Sequence, residues 1–103
     1  MKNYKIKILQ EAFEDLEEII LYVSKDSKEN SLKLHNEIME SINKLATLPK
    51  RGRLVPEKNM TRLGFRMIFV SSYIIFYRII GEEIYIYRVL HGKQNYPILF
   101  NGK

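Results

Sequence analysis

The chain has 103 residues, of which 46% are hydrophobic and 28% charged, and its formal net charge is +5. This length predicts a single domain over residues 1–103 with one two-layer hydrophobic core. The absence of cysteine excludes disulfides and thiolate metal sites, and no apolar run approaches the ~20 residues of a membrane-spanning helix. Because the N-terminal stretch turns acidic before a signal-peptide core forms, we expect a cytoplasmic protein without a membrane partner.

The charge is distributed unevenly along the chain. Residues 1–48 have seven Lys and nine Asp or Glu, a net charge of −2, whereas residues 49–103 have ten Lys or Arg and three Glu, a net charge of +7. Such a basic surface on a small domain is typical of proteins that bind phosphate-rich or acidic partners. Composition by itself favours a basic surface that serves only solubility, since such an imbalance is common.

The first part of the chain predicts a strand followed by a helix. Residues 4–9 alternate apolar side chains with Lys5 and Lys7, which is typical of a half-buried strand at a sheet edge. Residues 11–24 have apolar side chains at helical spacing, namely Ala12, Leu16, Ile19, Ile20 and Val23. An acidic cluster fills the early turns of this helix. Because no His or Cys accompanies the cluster, we interpret it as a solvated face and not as a metal site.

A second helix is predicted after a short break. Asp26, with Glu29 three residues later, resembles a capping box, and the helix is expected to run to about Thr47, before Pro49. Its apolar stripe consists of Leu34, Ile38, Ile42 and Leu45. Two helices joined by a short connection predict an antiparallel helical hairpin.

A basic loop follows the second helix, from Leu48 to Asn59. It contains two prolines, one glycine and the cations Lys50, Arg51, Arg53 and Lys58. Because the loop leads directly into the next strand, we expect its cations to lie near one rim of a sheet. A phosphate-contacting loop and a solubilising surface loop are equally compatible with this segment alone.

Residues 62–93 predict three consecutive β-strands, because they are rich in Ile, Val, Phe and Tyr. The breaks at residues 71–72 and 81–82 are interpreted as two-residue hairpin turns, in which Gly81 can adopt a positive φ. These turns set the register, which pairs Val70 with Tyr73 and Ile80 with Glu83.

Alternation along these strands sorts their side chains onto two faces. One face is predicted to be the core of the domain, and it carries Phe65, Met67, Phe69, Ile74, Phe76, Tyr85, Tyr87 and Val89, with Arg78 and His91 toward its ends. The other is predicted to be a partner surface, and it carries Ile68, Val70, Ile75, Ile79, Ile84, Ile86 and Leu90 among Arg66, Arg88, Tyr73 and Tyr77. The element order is β-α-α-β-β-β, which predicts an α+β fold with a helical hairpin on one face of a mainly antiparallel twisted sheet.

The sequence contains no phosphate-cradling glycine loop, no nucleophile elbow and no His, Asp or Glu cluster with metal-ligand spacing, so we expect no cofactor and no metal. One chemistry stays open, namely metal-independent cleavage of RNA by its own 2′-hydroxyl, which needs a base, an acid and cations around the phosphorane. The candidate residues for it are Arg66, Arg88, His91 and Lys93. The alternative is that the arginines pair with carboxylates or with an acidic partner.

These features together resemble the RelE/ParE superfamily of toxins from bacterial type II toxin–antitoxin systems, and the ParE branch most closely. The first helix carries the pattern A-x-x-D-L-x-x-I-x-x-Y at Ala12, Asp15, Leu16, Ile19 and Tyr22. The pattern continues with Pro49, Gly52, Phe65, Arg66, the tyrosine-rich strand 73–78 and the ending R-V-L-H-G at residues 88–92. The resemblance covers nearly the whole chain.

The resemblance implies a small basic toxin, of the kind found in plasmid-stabilisation modules, that is neutralised by an acidic antitoxin whose extended segment wraps it. ParE-like members poison DNA gyrase, whereas RelE-like members cut mRNA in the ribosome. Arg66 matches the strand arginine of the nucleases, but Gln94 stands where these often have arginine, and Phe100 lacks the hydroxyl of their C-terminal aromatic residue. His91 and Tyr96 are the candidate substitutes.

Three functions are therefore considered: a ParE-like inhibitor of gyrase, a ribosome-dependent mRNA endonuclease, and a non-toxic member that only binds its antitoxin. The endonuclease would use Arg66, His91 and Lys93 as catalytic residues. The residues assigned to a target or nucleic acid are Lys50, Arg51, Arg53, Arg66, Arg88 and Lys93. Those assigned to the antitoxin are Tyr73, Tyr77, Arg88, Ile98, Leu99 and Phe100. A homodimer is left open.

Overall fold

The computed structural model describes residues 3–94. Helices and strands follow one another in the order β1-α1-α2-β2-α3-β3-β4-β5, with a 3-10 turn at Lys44–Ala46 after α2. Their bounds are β1 Lys5–Ile8, α1 Gln10–Ser24, α2 Lys28–Asn43, β2 Arg53–Leu54, α3 Lys58–Arg62, β3 Arg66–Val70, β4 Tyr73–Ile80 and β5 Glu83–His91. Within the described residues no helix is long and apolar enough to cross a membrane.

The five strands form one sheet in the order β1-β5-β4-β3-β2, in which β1 runs parallel to β5 and all other neighbours are antiparallel. The predicted α+β fold is confirmed, and β1 is an edge strand as its lysines indicated. The elements β2 and α3 were not predicted. With two and five residues they are too short to show a period in the sequence, and β2 exists only because it pairs with the start of β3.

Both predicted hairpin turns are confirmed. Val70 pairs with Tyr73 across residues 71–72, and Ile80 pairs with Glu83 across residues 81–82. Gly81 has a φ of 62°, a backbone conformation in which a side chain is disfavoured. Short two-residue turns leave little freedom of register, which is why the pairing near each turn could be predicted.

Further along β5 the register shifts by one residue. Tyr77 pairs with Ile86, but the preceding Phe76 pairs with Arg88, so Tyr87 is the extra residue of a β-bulge. The bulge reverses the alternation beyond it. Val89 therefore belongs to the cluster under the helices and Leu90 to the cluster on the opposite face, so the predicted faces of these two residues were wrong.

The prediction of which sheet face forms the core was also wrong. Helices α1 and α2 cover the face predicted to bind a partner, and its central residues are Ile68, Ile75, Tyr77, Ile84 and Ile86. From the helices, the stripe Leu34, Ile38, Ile42 and Leu45 is buried against it. Alternation alone could not choose between the faces, because both are apolar.

The opposite face is covered in part by the chain between β2 and β3. Val55, Met60 and Phe65 pack there against Met67, Ile74, Phe76 and Leu90. This covers the side of the face near β3, whereas no other described segment lies over the side near β1. The face is therefore a second, smaller core at one end and an exposed surface at the other.

The cap of α2 is one residue later than predicted. Ser27, not Asp26, is the N-cap, and its Oγ accepts a hydrogen bond of 3.1 Å from the Asn30 amide. Both residue types are good caps, so the sequence could not distinguish two adjacent candidates.

Candidate functional site

The basic loop that follows α2 is held against the sheet by Tyr77 of β4. The Tyr77 hydroxyl donates a hydrogen bond of 2.7 Å to the carbonyl of Pro49 and accepts one of 2.9 Å from the amide of Gly52. The ring is completely buried, and burial raises the pKa of Tyr77, so the hydroxyl keeps its proton. One side chain thus fixes the loop at two points.

Gly52 is required at this point because the backbone passes so close to the sheet. A Cβ there would lie 2.7 Å from the Met67 carbonyl oxygen and 2.8 Å from both the Ile68 Cγ1 and the Tyr77 hydroxyl. No side chain fits at these distances without a shift of the backbone. The close approach determines where the neighbouring cations lie.

Two arginines attach the same loop to β3 and α2. Arg66, which pairs with Tyr77 across the ladder, donates a hydrogen bond of 2.6 Å to the Gly52 carbonyl. Arg51 donates to the Ser41 hydroxyl, at 3.0 Å. The loop is therefore fastened to three elements, and its conformation is defined before any partner binds.

The cations of the loop have no carboxylate partner among the described residues. Within residues 3–94, none of Lys50, Arg51, Arg53 or Arg66 forms an ion pair. Arg53 lies over the ring of Phe69, 5.8 Å from its centroid, and this ring is 56% exposed. The sequence placed Phe69 in the core. In the structure it is part of an exposed basic and aromatic surface beside the loop.

A groove of about 800 Å³ lies between α2 and the β3–β4 turn. It brings together three of the predicted site residues, Arg51, Tyr73 and His91. The His91 and Tyr73 rings meet edge to face at 5.4 Å, and the His91 Nδ1 accepts a hydrogen bond of 3.1 Å from the Lys93 amide. Neutral His91 therefore has its proton on Nε2.

The structure does not bring Arg66 and His91 together. Arg66 pairs with Tyr77, and His91 pairs with Tyr73 on the other side of β4. Four residues along β4 and two strand spacings across it separate their backbones by about 16 Å. Lys93 stays close to His91, so the three predicted catalytic residues lie at two ends of the sheet.

Arg88 makes a fork-shaped contact with Asp15 of α1. Its Nε and Nη2 donate to the two carboxylate oxygens at 2.8 and 3.0 Å, and this hydrogen bonding raises the pKa of Arg88. Its charge is neutralised inside the fold, unlike the charges of the basic loop. We therefore leave Arg88 out of the candidate site.

The remaining predicted residues differ in accessibility. Tyr73 lines the groove, whereas the buried Tyr77 is part of no exposed surface and acts as the anchor of the loop. The predicted antitoxin contacts Ile98, Leu99 and Phe100 lie outside the described residues. No group of three or more potential metal ligands occurs in the described range 3–94.

Residues 6–96 match the family described as the ParE toxin of the type II toxin–antitoxin system parDE. Among solved structures, one from the chromosomal ParDE TA system of P. aeruginosa superimposes with a TM-score of 0.70 and 25% sequence identity. The superposition covers 85% of this chain and 95% of that one. No curated protein matches the sequence.

Proposed function

Because the chain belongs to the ParE toxin family of type II toxin–antitoxin systems, we propose that it arrests growth by inhibiting DNA gyrase through protein–protein contact. An acidic antitoxin holds it inactive until release. The observation that carries the proposal is the family match over residues 6–96.

The basic loop is the proposed contact surface. Its cations have no ion-pair partner in the described range, and Tyr77, Gly52 and Arg66 fix its backbone. A preorganised loop loses less conformational entropy on binding than a flexible one. Arg53 and Phe69 are its proposed centre, because arginine and aromatic residues dominate many interfaces.

The test is a supercoiling assay with purified gyrase, relaxed plasmid and the purified chain. We expect the wild type to inhibit supercoiling and Arg53→Gln to require roughly tenfold more protein for the same inhibition. Arg62→Gln is the matched control, since Arg62 is an exposed arginine on α3 and should be neutral. Supercoiling that is unaffected by the wild type at saturating concentration would refute the proposal.

A second candidate is the metal-independent endoribonuclease. The observation in its favour is the groove, which is lined by His91, Tyr73 and Arg51 among other residues and in which the His91 and Tyr73 rings are in contact. Mapping of mRNA 5′ ends after induction tests it. Cuts within translated frames that disappear in His91→Gln would establish this activity, and intact mRNA would exclude it. A chain that causes no growth arrest would be the non-toxic, antitoxin-binding member.

A further inference from the structure

Within residues 3–94, the part of the sheet that no layer covers lies on the face away from the helices, near β1. Tyr85 and Tyr87 lie two residues apart on β5, so their side chains share this face about 7 Å apart. Ile84 and Ile86, which alternate with them, are completely buried under the helices. Both tyrosines are half-buried, which leaves part of each ring in contact with solvent.

The orientation of the two rings is fixed by neighbouring side chains. The Tyr85 hydroxyl donates a hydrogen bond of 2.7 Å to Glu83, two residues back on the same strand, so the ring leans along the sheet. The Tyr87 ring meets Phe65 edge to face at 4.8 Å, and Arg78 donates a hydrogen bond of 3.4 Å to its hydroxyl. These contacts hold each ring in one orientation on the sheet.

Cations flank the Tyr85 ring on both sides. The strand register places Lys7 of β1 and Arg78 of β4 directly opposite Tyr85. Lys5 lies two residues before Lys7 on the same face and opposite Glu83. Glu83 is the carboxylate that opposes these cations. Its carboxylate is 3.8 Å from the Lys7 ammonium, and the Tyr85 hydrogen bond and both lysines lower its pKa.

We propose that this tyrosine surface, defined by Lys5, Lys7, Arg78, Tyr85 and Tyr87, binds single-stranded nucleic acid. Bases stack on the two tyrosine rings and phosphates contact the flanking cations. Two aromatic residues on a sheet face with the helices behind it match the geometry by which other sheets stack exposed bases. An acidic peptide would use the cations but not the rings, so nucleic acid is the better fit. This inference does not depend on the inhibition of gyrase.

The test is fluorescence anisotropy with the full chain and short fluorescein-labelled oligothymidylate, with oligouridylate in parallel to tell DNA from RNA. We expect Tyr85→Leu to weaken binding roughly five- to hundredfold, because one stacked base is lost. Tyr22→Leu is the matched control, since Tyr22 is 70% exposed on α1, and it should bind like wild type. Three phosphate contacts predict a slope of about −2 for log K against log salt.

A second variant tests the same surface through a gain of affinity. Glu83→Gln removes the carboxylate that competes for Lys7 and should tighten binding several-fold, whereas Glu37→Gln changes the charge equally on α2 and should have little effect. This variant keeps the test valid if Tyr85→Leu does not fold.

Four outcomes would overturn the proposal: no binding of either oligonucleotide at low salt, equal losses in Tyr85→Leu and Tyr22→Leu, equal affinity for a duplex, or tighter binding of labelled polyglutamate. The last would identify an acidic peptide as the partner of this surface.

Discussion

At the scale of single residues, the candidate site depends on a tyrosine and a glycine that carry no charge. The Tyr77 hydroxyl holds the loop through two hydrogen bonds. Gly52 has no side chain, so the backbone of the loop can lie close to the sheet. Tyr77 and Gly52 fix the backbone of the loop and thereby determine where its charged residues lie. Substitutions at Tyr77 and Gly52 therefore test the geometry of the site without changing its charge.

Gly52→Ala should lower the free energy of unfolding by about 1–3 kcal/mol, because the new methyl group overpacks a contact with backbone atoms of β3. Denaturant unfolding measures the change. Gly92→Ala is the control, since a methyl group added there would have the Ser72 carbonyl oxygen as its nearest neighbour, at 3.4 Å. Equal stability of both variants would show that the loop is not held as tightly as the distances indicate.

Tyr77→Phe should cost about 1–3 kcal/mol at neutral pH, because it leaves the buried Gly52 amide without its acceptor. The cost should shrink above pH 10, where an unperturbed tyrosine titrates. The raised pKa of Tyr77 means that the folded state retains the proton that the unfolded chain loses, so the wild type loses stability as pH rises through this window.

Unfolding of wild type and Tyr77→Phe at neutral and at alkaline pH tests this directly. Because the other tyrosines are present in both proteins, the difference between the two isolates Tyr77. A constant difference across the pH range would contradict the assigned cause.

At the scale of elements, Asp15 connects α1 to β5 where β1 has ended. The last pair of β1 is Ile8 with Ile86, so no strand of the described part of the chain lies beside the edge of β5 beyond that pair. Asp15 takes that place by accepting a hydrogen bond of 3.0 Å from the Val89 amide and by pairing with Arg88. A carboxylate on a helix thus replaces a missing strand next to the β-bulge.

Asp15→Asn should lower the free energy of unfolding by about 3 kcal/mol, because Arg88 would keep a partly buried charge without its partner. Thermal and denaturant unfolding measure the effect. Glu17→Gln makes the same kind of change at an exposed position on the same helix and should be nearly neutral. A loss of unfolding free energy below half of the expected value would mean that water solvates the unpaired Arg88 guanidinium.

At the scale of the whole molecule, the sheet has a protected centre and two different edges. Strand β4 has a neighbour on each side, β3 and β5 have one on each side over part of their length, and β1 and the two-residue β2 are at the edges. The exposed surfaces differ as well, with the basic loop at the β2 edge and the tyrosine surface toward β1. The molecule can therefore present two separate surfaces without rearranging its core.

The rates of amide hydrogen exchange should depend on whether a strand is central or at an edge of the sheet. Amides of β4 and β5 should exchange slowest, close to the rate set by global unfolding, and amides of β1 should exchange faster through local opening. NMR or mass spectrometry of the exchanging chain provides the measurement. Protection of β1 equal to that of β5 would show that the edge strand opens only when the whole domain unfolds.

Several features were determined by the sequence alone. The helical stripe, the edge lysines and the two-residue turns are local patterns, so they predicted both helices, the order of the long strands and the pairing near the turns. The resemblance to the RelE/ParE superfamily also depended on order and spacing in the sequence, and the family match supports it. Such features need no knowledge of which distant segments meet.

The rest was decided only by the tertiary structure. Both sheet faces are apolar, so only the packing of the helices determined which became the core, and the bulge at Tyr87 moved Val89 and Leu90 to faces that strict alternation does not give. The short strand β2 depends on its pairing with β3, and Gly52 is anchored by Tyr77, which lies 25 residues later in the chain. The alternation of apolar side chains depends only on spacing along one strand. Contacts between distant segments decide that Arg66 and His91 lie at opposite ends of the sheet and that the basic loop is exposed.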